Sequence, residues 1–121
     1  MLNLDTHILL HALNGTITKT ERRLLENNRW GISAIVLWEI SKLYQLQRIS
    51  LDPADPEFKR ALSGIHMMPI TLDICLATYK LDIKSDPADE IICATSITHN
   101  IPLITRDRRL LKSKVIPLAR I

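Results

Sequence analysis

Four acidic residues stand where acids are not ordinarily wanted: Asp5, Glu39, Asp89 and Asp107. Asp5 ends the apolar stretch Met1-Leu2-Asn3-Leu4, and Asp107 comes two residues after Pro102-Leu103-Ile104-Thr105. Both stretches read as buried strands, and the carboxyl edge of an open α/β sheet is where ligands bind. Each of these two acids fits equally well as a cap for the helix that follows it. Glu39 is sharper. At 100° per residue, Leu46 lies about 20° from it, Ile35 and Leu43 about 40°, and Val36 about 60°. Its carboxylate therefore projects from an apolar stripe. A buried, unpartnered carboxylate costs several kcal/mol or takes up a proton. Lys42, on the same helix, is the ordinary structural partner for it, and a metal is the functional one. Asp86, followed by Pro87, reads as an N-cap with proline at N1, which puts Asp89 at N3, where it fits equally well as a capping-box partner or as a functional acid aimed along the helix start toward the sheet edge.

Parallel topology gathers strand ends and helix starts on one edge, so the four acids are expected to converge. Two like charges about 4 Å apart repel by roughly 4 kcal/mol at an effective dielectric of about 20. Four crowded carboxylates need protons or cations, and oxygen donors without a histidine cluster favour Mg²⁺ or Mn²⁺ over zinc. Such ions suit phosphodiester hydrolysis, because they activate water and stabilise the leaving oxygen. Thr105 offers a hydroxyl that can orient a neighbouring carboxylate or water. Arg106, Arg108, Arg109, Lys112 and Lys114 flank Asp107, where basic charge would offset repulsion between an acidic pocket and nucleic acid.

The elements that must position these groups alternate. Met1 to Asp5 reads as a strand, and His7 to Leu13 as a helix stopped by Asn14-Gly15. Thr18 to Asn28 is a polar helix, Trp30 to Ile32 a short strand, and Ser33 the N-cap of a helix to about Gln47. A loop over Asp52 to Pro56 leads into a helix over Glu57 to Ile65. Met67 to Ile70 is a strand, and Thr71 caps a helix through about Leu81. Asp86-Pro87 opens a helix ending at His99-Asn100. Pro102 to Thr105 is a strand, Asp107 to Lys112 a helical turn, and Val115 to Leu118 a last strand. Short, continuously apolar strands between helices predict an α/β fold, a three-layer sandwich with a mostly parallel central sheet and helices on both faces. Asp-Pro-Ala-Asp occurs at 52 to 55 and 86 to 89, but the flanks differ, so the two are independent loop-to-helix junctions.

With 121 residues the chain has the size of one domain, and no linker divides residues 1–121. Leu, Ile and Val make up nearly a third of it, which excludes a disordered chain. The longest apolar run, Ala34 to Trp38, is far too short to cross a membrane, and no signal peptide is evident. Three scattered glycines exclude a Walker loop and a dinucleotide fingerprint, and there is no nucleophile elbow. Cys75 and Cys93 lack zinc or redox spacing and read as reduced core thiols of a cytoplasmic protein. The net charge is only +3, yet six bases and one acid fall between Arg106 and Ile121, a polyanion-binding or merely solvated face. His7 is placed to orient the first helix start, and His11, His66 and His99 fit ordinary surface or core roles. Trp30 and Trp38 read as packing or dimer contacts.

The run of motifs resembles the PIN domain. Leu4-Asp5-Thr6-His7-Ile8-Leu9-Leu10 is similar to its opening, and Ile32-Ser33-Ala34-Ile35-Val36-Leu37-Trp38-Glu39-Ile40 to its second acidic motif. The segment from Ser85 to Ser96 resembles the third, and that from Pro102 to Leu110 the fourth. The order holds along the whole chain and is closest to VapC-type toxins of bacterial toxin–antitoxin pairs. The resemblance implies an Mg²⁺- or Mn²⁺-dependent endoribonuclease that leaves a 5′-phosphate and a 3′-hydroxyl. Asp5, Glu39, Asp89 and Asp107 would be its metal-binding and catalytic acids, with Asp86, Thr6 and Thr105 accessory. Arg106, Arg108, Arg109 and Lys112 would contact RNA. It also implies a homodimer silenced by a VapB-type antitoxin. Two departures stand out: His11 replaces a common Trp, and Glu90 a common Arg beside the site. A phosphorelay receiver has similar length and an Mg²⁺ acid cluster, but needs an acidic pair after the first strand, an Asp after the third and a Lys after the last. Asp5 is followed by Thr6-His7, Ile70 by Thr71-Leu72, and Leu118 by Ala119-Arg120, so three placements fail. A PIN fold kept only for binding is the remaining alternative.

Overall fold

The computed structural model describes residues 1–120; Ile121, the end of the basic segment, lies outside the described residues. Four strands, β1 (Leu2–Leu4), β2 (Trp30–Ser33), β3 (His66–Met68) and β4 (Leu103–Ile104), form one sheet in the order β3-β2-β1-β4. Every pairing is parallel, with Asn3 in register with Gly31 on one side and Leu103 on the other. Successive strand residues face opposite sides of a sheet, and Leu2, Asn3 and Leu4 are all buried, so both faces of β1 are covered.

Seven helices flank the sheet: α1 (Thr6–Asn14), α2 (Lys19–Glu26), α3 (Ala34–Gln45), α4 (Pro56–Leu62), α5 (Leu72–Ala77), α6 (Pro87–His99) and α7 (Arg108–Leu111). Local sequence sets most of their ends. Gly15 takes a left-handed φ of 72° and its N–H closes α1, as Asn14-Gly15 predicts. Thr18 and Glu21 form a reciprocal capping box at α2, and the Ser33 hydroxyl accepts from the Ile35 N–H at α3. The core joins Leu4, Ile8, Leu9, Ile32, Val36, Ile40, Ile92, Leu103 and Leu110, all fully buried.

Several boundaries differ from expectation. The strand expected over Met67 to Ile70 begins and ends earlier, at His66–Met68. The helix capped by Thr71 stops at Ala77 and tightens into a 3-10 turn over Thr78–Lys80. The expected last strand shrinks to one parallel bridge between Leu103 and Leu118. There Ser113 and Lys114 are tied to the Asp82 carboxylate instead, at 2.6 and 2.8 Å. Cys93 is in the core, but Cys75 is exposed on α5. Trp38 is half exposed, with the Lys42 ammonium 5.8 Å from its ring centroid. Leu72 on α5 and Tyr79 in the 3-10 turn that follows it are more than two-thirds exposed.

Among the described residues, one ion pair joins distant parts of the chain. Arg106 donates from Nε and Nη2 to the two carboxylate oxygens of Glu21, each at 2.7 Å, and from Nη2 to the Thr16 carbonyl. The fork geometry is the strong form of the interaction. The Arg106 guanidinium holds the Glu21 carboxyl down at about 2. A depressed carboxylate contributes stability above its unfolded value and loses it as the pH falls through the folded one. Glu21→Gln should therefore lower the thermal midpoint at pH 7, and the gap from the parent chain should close between about pH 4.5 and 2. Melting curves across that window check it.

Candidate active site: an acid-lined cleft at the switch point of the sheet

The chain enters the sheet at β1, steps outward to β2 and β3, then returns to place β4 on the other side of β1. Strand order thus reverses between β1 and β4, and their carboxyl ends open a crevice of the kind that binds ligands. Asp5 follows β1 directly and Asp107 follows β4. Asp5, Glu39, Asp86, Asp89 and Asp107 all line one cleft of about 470 Å³, together with His7, His11, Arg106 and Arg109.

Each acid is held by its own partners. Asp5 is buried, accepting from the Thr105 hydroxyl at 2.6 Å and from the Thr6 N–H at 2.8 Å. The Thr105 oxygen in turn accepts from the Asp107 N–H at 3.0 Å, so one hydroxyl connects the ends of β4 and β1. The Thr6 hydroxyl donates to Glu39, which joins α1 to α3. Lys42, the ordinary structural partner for Glu39, reaches Gln45 instead. Leu46 is 60% exposed, so the apolar stripe stops short of it, and Glu39 stands half-buried at the cleft wall rather than enclosed. Asp107 caps α7 by accepting from the Arg109 N–H at 2.9 Å, and Arg109 also approaches it at 3.7 Å.

Asp86 occupies the N-cap position before Pro87, as predicted, but its side chain makes no capping bond. The start of α6 is tied by Ser85 instead: its hydroxyl donates to Asp89 at 2.7 Å and its N–H to Glu90 at 3.3 Å. Asp86 is thereby left facing the cleft. Ser85 also accepts from Arg109 at 3.2 Å, which links α6 to α7 across the opening. Of the four basic residues expected to meet RNA, Arg106 is committed to Glu21, while Arg108, Arg109 and Lys112 are exposed.

The electrostatics follow from this crowding. Burial pushes the Asp5 carboxyl above its ordinary value; the Thr105 hydrogen bond opposes it, and repulsion from Asp89 adds to it. Burial raises Glu39 as well, with Thr6 opposing and Asp89 and Asp5 adding repulsion. The Cys93 thiol, one turn beyond Asp89, is pushed up to about 12 by burial and by the same acids. Among the described residues no three acidic, histidine or cysteine side chains are already gathered as a metal cage. The donor chemistry nevertheless fits a hard divalent cation, because the carboxylates sharing the cleft are oxygen ligands that repel one another.

Three contributors escaped the sequence reading. His11 lines the cleft, tied through Nδ1 to the Thr16 hydroxyl at 2.7 Å, and its spacing of four from His7 puts both on one face of α1. Ser85 holds Asp89 from four residues upstream, a separation that could have flagged it. Asn3 is the third: fully buried in β1, with a side-chain carbonyl that has no partner.

A four-strand parallel sheet flanked by helices, with acids gathered at its switch point, defines an α/β protein with a polyanionic cleft. The PIN domain profile matches residues 3–115, and the chain belongs to the PIN domain family. Among solved structures it is similar to a chain of VapBC2 from Rickettsia felis bound to a promoter DNA fragment, at 20% identity and a TM-score of 0.75, covering 98% of each chain. It also resembles a chain of DNA-bound VapBC from Salmonella typhimurium, at 19% identity and a TM-score of 0.69, again covering 98% of each chain. A toxin–antitoxin complex from Klebsiella pneumoniae gives 24% identity and a TM-score of 0.65, over 93% of this chain and 92% of that one. No curated protein sequence matches the chain.

Raised acids favour the protonated folded state, so metal-free stability should fall as the pH climbs through the folded values of Asp5 and Glu39. Asp5→Asn removes the buried charge and should raise the metal-free melting temperature at pH 7 by a few degrees, an advantage that disappears near pH 3. Calorimetry in chelator at the two pH values measures it.

Proposed function

We propose that this chain is an Mg²⁺- or Mn²⁺-dependent endoribonuclease, the toxin of a toxin–antitoxin pair. One observation carries the reading: five carboxylates from four separate segments of the chain line a single cleft at the switch point of a PIN sheet. Asp5, Glu39, Asp89 and Asp107 would hold the cation, with Asp86 as accessory. Bound there, the cation would supply Lewis-acid activation of water and of the scissile phosphate.

The protein's own share is positioning. The Thr105 hydroxyl and the Thr6 N–H fix both oxygens of Asp5, and the Thr6 hydroxyl fixes one oxygen of Glu39. Those two acids then present their remaining lone pairs to the cleft without rotamer freedom. Arg108, Arg109 and Lys112 supply the phosphate contacts, and their exposure suits a backbone that must enter and leave. Arg106 also lines the cleft, but with its guanidinium forked onto Glu21 it would add less to those contacts than the other three. Water attacking phosphorus in line, with the P–O3′ bond breaking and the 3′ oxygen taking up a proton, would leave a 5′-phosphate and a 3′-hydroxyl.

The similar solved structures are toxin–antitoxin complexes, which supports an antitoxin of VapB type as the partner here. The exposed apolar groups Trp38 on α3, Leu72 on α5 and Tyr79 in the 3-10 turn after it suit a homodimer. Asp5→Asn and Asp89→Asn should each lower RNA cleavage by at least about a hundredfold while the far-ultraviolet spectrum is unchanged. Chelator should abolish the parent activity and Mn²⁺ restore it. Full cleavage by either variant, or undiminished cleavage in chelator, would overturn the proposal. Lys112→Ala should weaken RNA binding and flatten its salt dependence by about one charge, without changing Mn²⁺ affinity; filter binding across a salt series measures it.

A further inference from the structure

Asn3 is the one polar residue within β1, between Leu2 and Leu4, and it is fully buried. Its Nδ2 donates to the Ile92 carbonyl at 3.0 Å and to the Ser96 hydroxyl at 2.9 Å, both on α6. Ile92 and Ser96 are four apart, so one carboxamide spans a full turn of that helix. Its Oδ1 has no partner. Stability alone does not account for such a pair, because apolar side chains at positions 3 and 96 together would leave no side-chain polar atom unsatisfied there, whereas Asn3 leaves its carbonyl oxygen unpaired.

Placement does account for it. Residues two apart on a strand share a face, so Asn3 and Asp5 both point toward α6. Asp89 lies seven residues before Ser96, about 20° around the helix, and therefore on the same side of α6 as the groups that Asn3 grips. The two links run in parallel between one strand face and one helix face. Asn3 to Ile92 and Ser96 lies in the core, and Asp5 beside Asp89 lies at the cleft. Asp5 and Asp89 repel each other, which by itself would push the start of α6 away from the sheet.

We propose that Asn3 is a positioning residue: its carboxamide clamps α6 to β1 in the one register that keeps Asp89 facing Asp5 against their mutual repulsion. This rests on the cation-site reading above for its affinity readout, and on hydrogen exchange for a readout independent of any metal.

The test uses the full chain carrying Asn3→Leu, Ser96→Ala, or both. In metal-free protein, the backbone amides of Glu90 to Cys93 should exchange faster while those of α1 do not change. Mn²⁺ affinity, measured by calorimetry, should fall by about tenfold or more, the scale on which groups orienting ligands act. The double variant should be no weaker than Asn3→Leu alone, since both changes remove the same link. Parent-like exchange and parent-like Mn²⁺ affinity in Asn3→Leu would overturn the clamp. So would faster exchange spread evenly over every helix with Mn²⁺ affinity retained, the mark of a merely structural role. If Asn3→Leu does not fold, Ser96→Ala decides by the same two measurements. A parent chain that takes up no Mn²⁺ sinks the ribonuclease reading, and exchange alone then decides the clamp.

Discussion

A negative charge buried at the end of β1 is the constraint around which the rest of the molecule is arranged. Asp5 is almost wholly buried and has no lysine or arginine bonded to it among the described residues; it is held by a hydroxyl from the end of β4 and by the first N–H of α1. Those two donors reduce the cost of ionisation without cancelling it, as the raised carboxyl shows. Bringing Glu39 and Asp89 near it raises the cost again. A protein built for stability alone would have put an amide or an alanine there. The expense is local, and the apolar core of β1, α3 and α6 bears it.

The hydroxyls turn separate elements into one unit. Thr105 touches Asp5 and Asp107, Thr6 connects α1 to α3, and Ser85 connects α6 to α7 through Asp89 and Arg109. Neutral donors suit this work, because a lysine in any of these places would neutralise an acid and occupy the space a cation needs. Of the bases nearby, Lys42 lies over Trp38 and Arg106 is bound to Glu21, while Arg109 reaches Asp107 and Ser85 at the cleft's edge rather than Asp5 or Glu39.

Much of this was legible in the sequence. Periodicity and capping residues located every helix, and the acids ending apolar stretches marked the cleft before any fold was known. What escaped is instructive. Asp86-Pro87 looked like a capping pair, and the backbone does take the N-cap shape, but a serine one residue earlier took over the bonding. Helical spacing put Glu39 inside an apolar stripe, yet Leu46 proved exposed because α3 ends before it and Gln47 turns the chain with a positive φ. The strand over Val115 to Leu118 has the right residues, but the Ser113–Asp82 bond holds its start away from the sheet and leaves one bridge. An adjacent serine, a turn with no strong signature and a side chain far away in sequence each overrode a sound local preference. Asn3 is the opposite kind of miss: its oddity was visible, but its purpose depends on a helix some ninety residues away.

The return of β4 to lie beside β1 has a temporal side. Asp5 precedes Asp107 by roughly a hundred residues, and synthesis runs from the first to the second. Until the β4 segment emerges, Asp5 lacks its hydroxyl partner and β1 lacks a neighbour on one edge. A nascent polypeptide therefore carries only fragments of the cleft while everything between the two strands is being made. Whatever chemistry the finished fold performs is withheld from the translating machinery until that later segment is in place.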